Sequence, residues 1–259
     1  MDFLTANAPA KINWYLNIVR KREDGYHELE SIMQTIALSD TLEFRKRTDR
    51  SILLTVSSDG GSIRTVPADA SNLVCKAAEA LGVYGVEIHL TKRIPAQAGL
   101  GGGSSDAACA LMSLNRLFQL GLTRQQLAEK AVTLGADVPF FLYGGACIAR
   151  GIGEVLEPIA PVTRFDIRIR KPETNLSTPE IFRLWDRQPP EEHPTLAQFL
   201  AEFSDNGHPE RVLYNGLESV SVALCPQIAE AKAALLAEGA AAAMMTGSGS
   251  AVFGLFEKG

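Results

Sequence analysis

Between Gly99 and Asp106 the chain reads GLGGGSSD, with glycine at four of the five positions from 99 to 103 and serine at 104 and 105. Glycine allows positive φ and a close approach of backbone amides to an anion, and a helix start behind it adds unpaired N–H groups and the positive end of the helix dipole. Such a loop suits phosphate. Ser104 and Ser105 add hydroxyls for phosphate oxygens or a magnesium ion. No lysine follows the glycines as GxxxxGK demands, and Ser104 stands where the last glycine of GxGxxG belongs. Neither HRD nor DFG occurs, so the protein-kinase pattern is also missing. A third kind of nucleotide site is implied.

The rest of the composition narrows the classes. With 46% hydrophobic and 21% charged residues in 259, the chain can bury a sizeable core and fits a soluble globular protein of two modest domains. A net charge of −5 and a sequence pI near 5.5 give no basic field for a polyanion, so no nucleic-acid partner is expected. Apolar runs stop short of the roughly 18 residues a span requires, so no membrane partner is expected. The opening MDFLTANAPAKIN has neither a basic n-region nor an apolar h-region, so a cytoplasmic protein is expected. Cys75, Cys109, Cys147 and Cys225 show no CxxC spacing and read as reduced core thiols. His89, His193 and His208 share no ligand spacing and read as surface or structural.

Several elements must hold the loop in place. Ile12, Trp14, Leu16 and Ile18 fall on alternate positions, which predicts a strand over Lys11 to Arg20 with one buried face, and Val86, Ile88 and Leu90 predict another. Strand-like pieces lie at Leu42 to Arg45 and Ile52 to Val56, followed by a turn at Ser57 to Ser62. A short helix is expected over Asn72 to Leu81, closed by Gly82. Ala108, Leu111, Leu114 and Phe118 continue the glycine loop at helical spacing, and Thr123 with Gln126 forms a capping box for a helix ending at Gly135. Beyond a boundary near residue 150 come a strand at Phe165 to Ile169, a connection through Pro189 and Pro190, a helix from Gln227 to Leu236, and a glycine turn feeding a last strand. Domains of 1–150 and 151–259 are expected.

Three runs in order carry a resemblance: PAKINWYLNI at Pro9 to Ile18, IPAQAGLGGGSSDAA at Ile94 to Ala108, and MMTGSGSAVFG at Met244 to Gly254. Together they resemble the three motifs of the GHMP kinase superfamily. RKREDGYHELESI at Arg20 to Ile32 and GADVPFF at Gly135 to Phe141 are similar to its members that phosphorylate 4-diphosphocytidyl-2-C-methyl-D-erythritol in the non-mevalonate isoprenoid pathway. The resemblance implies an α+β, two-lobed fold, with an amino-terminal ATP-binding domain, a carboxy-terminal ferredoxin-like domain and the active site in the cleft between them. It implies ATP and magnesium as cofactors and a monomer or homodimer. Another small-alcohol kinase, for homoserine or mevalonate, a catalytically silent regulator, or the related diphosphomevalonate decarboxylase would share much of the pattern.

The same resemblance assigns residues. Asp137 would act as base on the substrate hydroxyl, with Lys11 beside it favouring the ionised carboxylate. Pro95, Gly99, Leu100, Gly101, Gly102, Gly103, Ser104 and Ser105 would hold the ATP phosphates, with Ser105 at magnesium, and Asn72 would lie near the adenine or serve only as a helix cap. Tyr26 and His27 would meet the cytidine end and Phe182 would add a second aromatic face. Asn13 would reach the polyol or hydroxyl, while Thr246, Gly247 and Ser248 would form an anion nest. Gln97, Thr246 and Gly216 depart from the usual residues, and Arg164 to Lys171 reads as a charged strand with a solvated face.

Overall fold

The structure is a computed structural model that describes residues 2–59, 66–188 and 192–259. The expected turn at Ser57 to Ser62 lies partly, and Pro189 and Pro190 wholly, outside the described residues. The chain runs β1 (Phe3–Lys21), β2 (His27–Lys46), β3 (Ile52–Ser58), α1 (Leu73–Ala80), β4 (Val86–Lys92), α2 (Gly102–Leu117), α3 (Arg124–Leu134) and α4 (Val138–Tyr143). It continues through β5 (Ala146–Gly151), β6 (Val155–Ile159), β7 (Phe165–Arg170), α5 (Thr178–Trp185), α6 (Leu196–Glu202) and β8 (Tyr214–Asn215). It closes with α7 (Glu218–Leu224), α8 (Gln227–Ala237), β9 (Ala242–Met245) and β10 (Val252–Glu257). Two compact units result: Met1–Lys11, Thr35–Ala96 and Gly101–Gly144 form the first, and Ile12–Gln34, Gln97–Leu100 and Gly145–Gly259 the second. Strands β1 and β2 contribute residues to both.

In the first unit the carboxy-terminal part of β2 pairs antiparallel with β4, and β4 pairs parallel with β3. Helix α2 packs on α1, α3 and α4. Its buried run Ala107 to Leu111 contains three alanines and a cysteine, small side chains that let neighbouring helices come close. Asn72 caps α1 and Thr123 with Gln126 forms a complete capping box on α3, satisfying amide groups that a helix start leaves open.

In the second unit the amino-terminal part of β2 pairs with β5, β5 with β6, and β1 runs parallel to β8. A separate antiparallel sheet orders β7, β10 and β9, with α8 against β9 and β10. Trp14 sits among Phe165, Phe203 and Phe253, with ring centroids 5.5–6.2 Å away. Thr195 and Gln198 make a second capping box on α6.

Two sequence expectations need correction. Residues 10–16 of β1 are buried on both faces, because the face of Lys11, Asn13 and Tyr15 is covered as fully as that of Ile12 and Trp14. The piece at Leu42 to Arg45 is the end of one strand of 20 residues, whose earlier part carries Glu, Ser and Gln and hides its period. The alanine-rich run before the last glycine turn is strand β9, paired with β10. All four cysteines are free and buried, and Asp166, Arg168 and Arg170 form the solvated side of β7. No single helix among the described residues is long and apolar enough to cross a membrane.

Candidate active site

In the first unit, Lys11 is 4% exposed, and its Nζ lies 4.0 Å from Asp137 Oδ2. Asp137 occupies the position before α4 without using its carboxylate to cap that helix. The carboxylate therefore stays available, with the Asp137 side chain 37% exposed. Burial pulls the Lys11 ammonium below its ordinary range, and the Asp137 charge opposes that shift without overcoming it. A lysine held this way is poorly hydrated and attracted to any further anion.

The first turn of α2 stands against the same lysine. Gly101, at φ +70°, precedes the helix without any side-chain cap, so the first amides are left open. A β-carbon at Gly101 would lie 2.8 Å from Phe141 Cζ and 3.1 Å from Lys11 Cγ, so only glycine lets the backbone pass. Ser105 is buried, and its hydroxyl has no hydrogen-bond partner among the described residues. An orphaned hydroxyl in a helix first turn fits a metal ion or a phosphate oxygen.

Beneath that turn is a group the sequence reading did not single out. Lys92 donates to Asp40 and, at 2.7 Å, to Asp106 Oδ2, with all three side chains buried. Asp40 Oδ1 also accepts from the backbone N–H of Arg93 and of Ile94, which fixes the entry to the glycine loop. A β-carbon at Gly102 would sit 3.3 Å from Lys92 Nζ, so the ammonium lies directly under the loop. One ammonium is neutralised by one carboxylate. Despite burial, the two carboxylates raise Lys92, while burial, aided by Asp40 and opposed by Lys92, pushes Asp106 up to about 7. The signal was available in the alternation of Lys92 with Leu90 and Ile88, but nothing local linked it to Asp40, 52 residues away.

Asn72 is engaged on both sides of its amide, accepting from Val74 N and donating to the Pro67 carbonyl. Pro95 also belongs to the first unit.

The second unit holds the remaining candidates in two groups. Asn13 N–H donates to Thr246 Oγ1 at 3.0 Å, Thr246 Oγ1 donates to Asn13 Oδ1, and Asn13 Nδ2 donates to Ser31 Oγ. Asn215 Nδ2 braces the third-motif turn through the carbonyls of Met245 and Gly247, and Ser248 Oγ bonds Thr178 Oγ1 at 2.7 Å. Gly99, at φ +76°, packs so tightly on this turn that any β-carbon would run into the Thr246 carbonyl. Leu100, beside it, is buried.

Elsewhere in this unit, His27 stacks on Phe182 at 4.7 Å and 29°, with Trp185 edge-on at 5.8 Å. Its Nε2 lies 2.7 Å from Asp186 Oδ1, and Lys21 Nζ reaches the other oxygen at 2.5 Å. Tyr26 is 61% exposed. Phe182 thus presents one face to His27 itself. Asp186 was missed because 159 residues separate it from His27.

Models of the GHMP kinases match the chain twice, the N terminal domain over residues 72–145 and the C terminal over 179–259. The 4-diphosphocytidyl-2-C-methyl-D-erythritol kinase of Pelobacter propionicus is 41% identical over 261 residues, covering 99% of this chain and 90% of its own. The chain is a GHMP kinase, of the same family as that enzyme. A second such kinase, from Pelotomaculum thermopropionicum, is 44% identical over 97% of this chain and 88% of its own length. A crystal structure titled 4-(cytidine 5'-diphospho)-2C-methyl-D-erythritol kinase superposes with a TM-score of 0.77 at 36% identity, covering 97% of this chain and 90% of that one. Homoserine kinase from Cytophaga hutchinsonii shares the fold alone, at 21% identity and TM-score 0.69 over 100% and 86% of the two chains. The α+β GHMP fold expected from the motifs is found. As a kinase of this family, the protein uses ATP and acts on a small molecule.

Proposed function

We propose that this GHMP kinase transfers the γ-phosphate of ATP to the 2-hydroxyl of 4-diphosphocytidyl-2-C-methyl-D-erythritol, giving the 2-phosphate and ADP. The observation that carries the chemistry is the buried Lys11 set against Asp137 and the uncapped turn of α2. Relatives 41–44% identical over nearly the whole chain support the substrate, whereas homoserine and mevalonate kinases, at 13–21%, share the fold alone.

Phosphoryl transfer asks a protein mainly for positioning and charge stabilisation. Asp137 takes the proton of the attacking hydroxyl, whose oxygen bonds to the γ-phosphorus as the bond to ADP breaks. Lys11, beside that carboxylate, offsets negative charge on the moving phosphoryl group. The amides of Gly101 to Ser104 hold phosphate oxygens, Gly99 and Leu100 carry the loop, and Pro95 and Asn72 flank the nucleotide. The orphaned Ser105 hydroxyl fits a magnesium ion, which would neutralise charge on the phosphate oxygens. Tyr26, His27 and Phe182 take the cytidine, and Asn13, Thr246, Gly247 and Ser248 the polyol and diphosphate.

ADP release tests this directly. With ATP and magnesium, turnover is expected with the cytidyl alcohol and not with homoserine or mevalonate at matched concentration. Turnover of homoserine or mevalonate instead, or silence with all three in protein shown to bind ATP, would overturn the assignment.

A further inference from the structure

Asp186 is the least expected member of the His27 cluster, and its two oxygens have separate work. Oδ2 receives the Lys21 ammonium and Oδ1 faces His27 Nε2. Partial burial works against its charge, but the bonds from Lys21 and His27 outweigh that and hold the carboxyl below its usual range. An ionised carboxylate can only accept, so the proton in the 2.7 Å contact resides on His27 Nε2. Phe182 against one face and Trp185 edge-on restrain the ring from turning over, and its side chain is 8% exposed. In the neutral ring Nδ1 then keeps its lone pair. That nitrogen makes no hydrogen bond among the described residues.

We propose that Asp186 is a positioning residue for base recognition, fixing His27 in the tautomer that offers Nδ1 as an acceptor and so favouring a cytosine amino group over the carbonyl of uracil. The inference rests on the cytidyl-substrate reading above and adds the residue that sets its polarity. Cytosine and uracil differ at N3, an acceptor in the first and a donor in the second, and at the exocyclic group on C4, an amino donor in the first and a carbonyl acceptor in the second. An acceptor aimed there is satisfied by cytosine and left facing another lone pair by uracil. Sites that hydrogen-bond one partner reject the other chiefly through such unpaired groups.

Two measurements at about pH 8 test this. Nitrogen-15 NMR of wild-type His27 is expected to show Nε2 protonated and Nδ1 bare. A ring protonated on Nδ1 alone overturns the proposal whether or not any variant folds. D186N keeps the shape, but its amide can donate or accept and so frees the tautomer. With the cytidyl substrate, its KM is expected to rise roughly tenfold while kcat and the KM for ATP move less than about twofold. The ratio of kcat/KM for the cytidyl substrate over its uridyl counterpart should fall by the same factor. A D186N enzyme that keeps the wild-type ratio overturns the proposal, as does equal loss of kcat with both substrates, which marks a merely structural role. Wild-type protein that phosphorylates neither nucleotidyl alcohol, but does use homoserine or mevalonate, overturns the proposed function itself and the base discrimination with it.

Discussion

Lys11 and Lys92 are both buried in the first unit, at 4% and 6% exposure, and their surroundings move them in opposite directions. Lys92 has two buried carboxylates in hydrogen-bonding contact and is raised; Lys11 has one half-exposed carboxylate at 4.0 Å and is lowered. The first ammonium is satisfied within the protein and shapes the loop above it. The second is lowered by its burial, which the Asp137 charge opposes without overcoming, and in this reading it also meets the phosphates of the nucleotide. A buried charge whose surroundings raise it serves structure; one whose burial lowers it is the more sensitive to an added anion.

The largest effect expected is from D137N, which keeps the size of the side chain but cannot take a proton. Its kcat should fall roughly 10³-fold with the fold intact by circular dichroism. K11M should lower kcat/KM about 10²- to 10³-fold while its Tm stays equal to or above that of wild type, since an apolar side chain escapes the desolvation that Lys11 bears. A clear drop in Tm would erase the contrast between the two lysines. K92M should do the reverse, losing about 3 kcal/mol in denaturant unfolding because Asp40 and Asp106 are left buried without a cation. The alkaline behaviour sharpens the difference. A lowered lysine carries a penalty that is complete below its folded value and fades as pH rises toward 10.5, so the stability gap between K11M and wild type narrows across that window. A raised lysine gives stability that persists until pH passes above 10.5, so the K92M deficit holds over the same window.

The smallest effect belongs to D106N. Native Asp106 holds its proton up to about 7 against 3.8 for an ordinary aspartate, so wild type should lose stability relative to D106N as pH climbs between those values. Urea unfolding of the pair at about pH 4 and about pH 8 measures the swing. A gap that moves the other way would place the proton elsewhere in the triad.

Local chemistry was legible in the sequence wherever neighbours in the chain are also partners. The cap on α1 at Asn72, the box at Thr123 and Gln126, and the helix behind the glycine loop all appeared at their expected positions. The first part of β2 did not, because a strand that carries Glu28, Glu30 and Gln34 among its apolar residues lacks a clean period of two. Nor did the burial of the Lys11 face of β1, since polar residues at alternate positions read as solvated until their partners are seen. Asp40 and Asp186 were out of reach for one reason: each gains its meaning from a residue more than fifty positions away. The motif resemblance named Lys11, Asp137 and His27, but not the carboxylates that hold Lys92 and His27 in position.

The contact between Gly99 and the Thr246 carbonyl has a consequence for how this gene can vary. Every missense change from a glycine codon adds a β-carbon, and at Gly99 there is neither room for one nor a backbone angle that suits it. Gly247 faces the same crowding from the opposite side, with Gly99 atoms 3.1 Å from its own would-be β-carbon. Neither position can yield to accommodate a change at the other. In a saturation library the two should stand as a linked pair of intolerant sites without a compensating partner, and lineages that carry this turn inherit it whole.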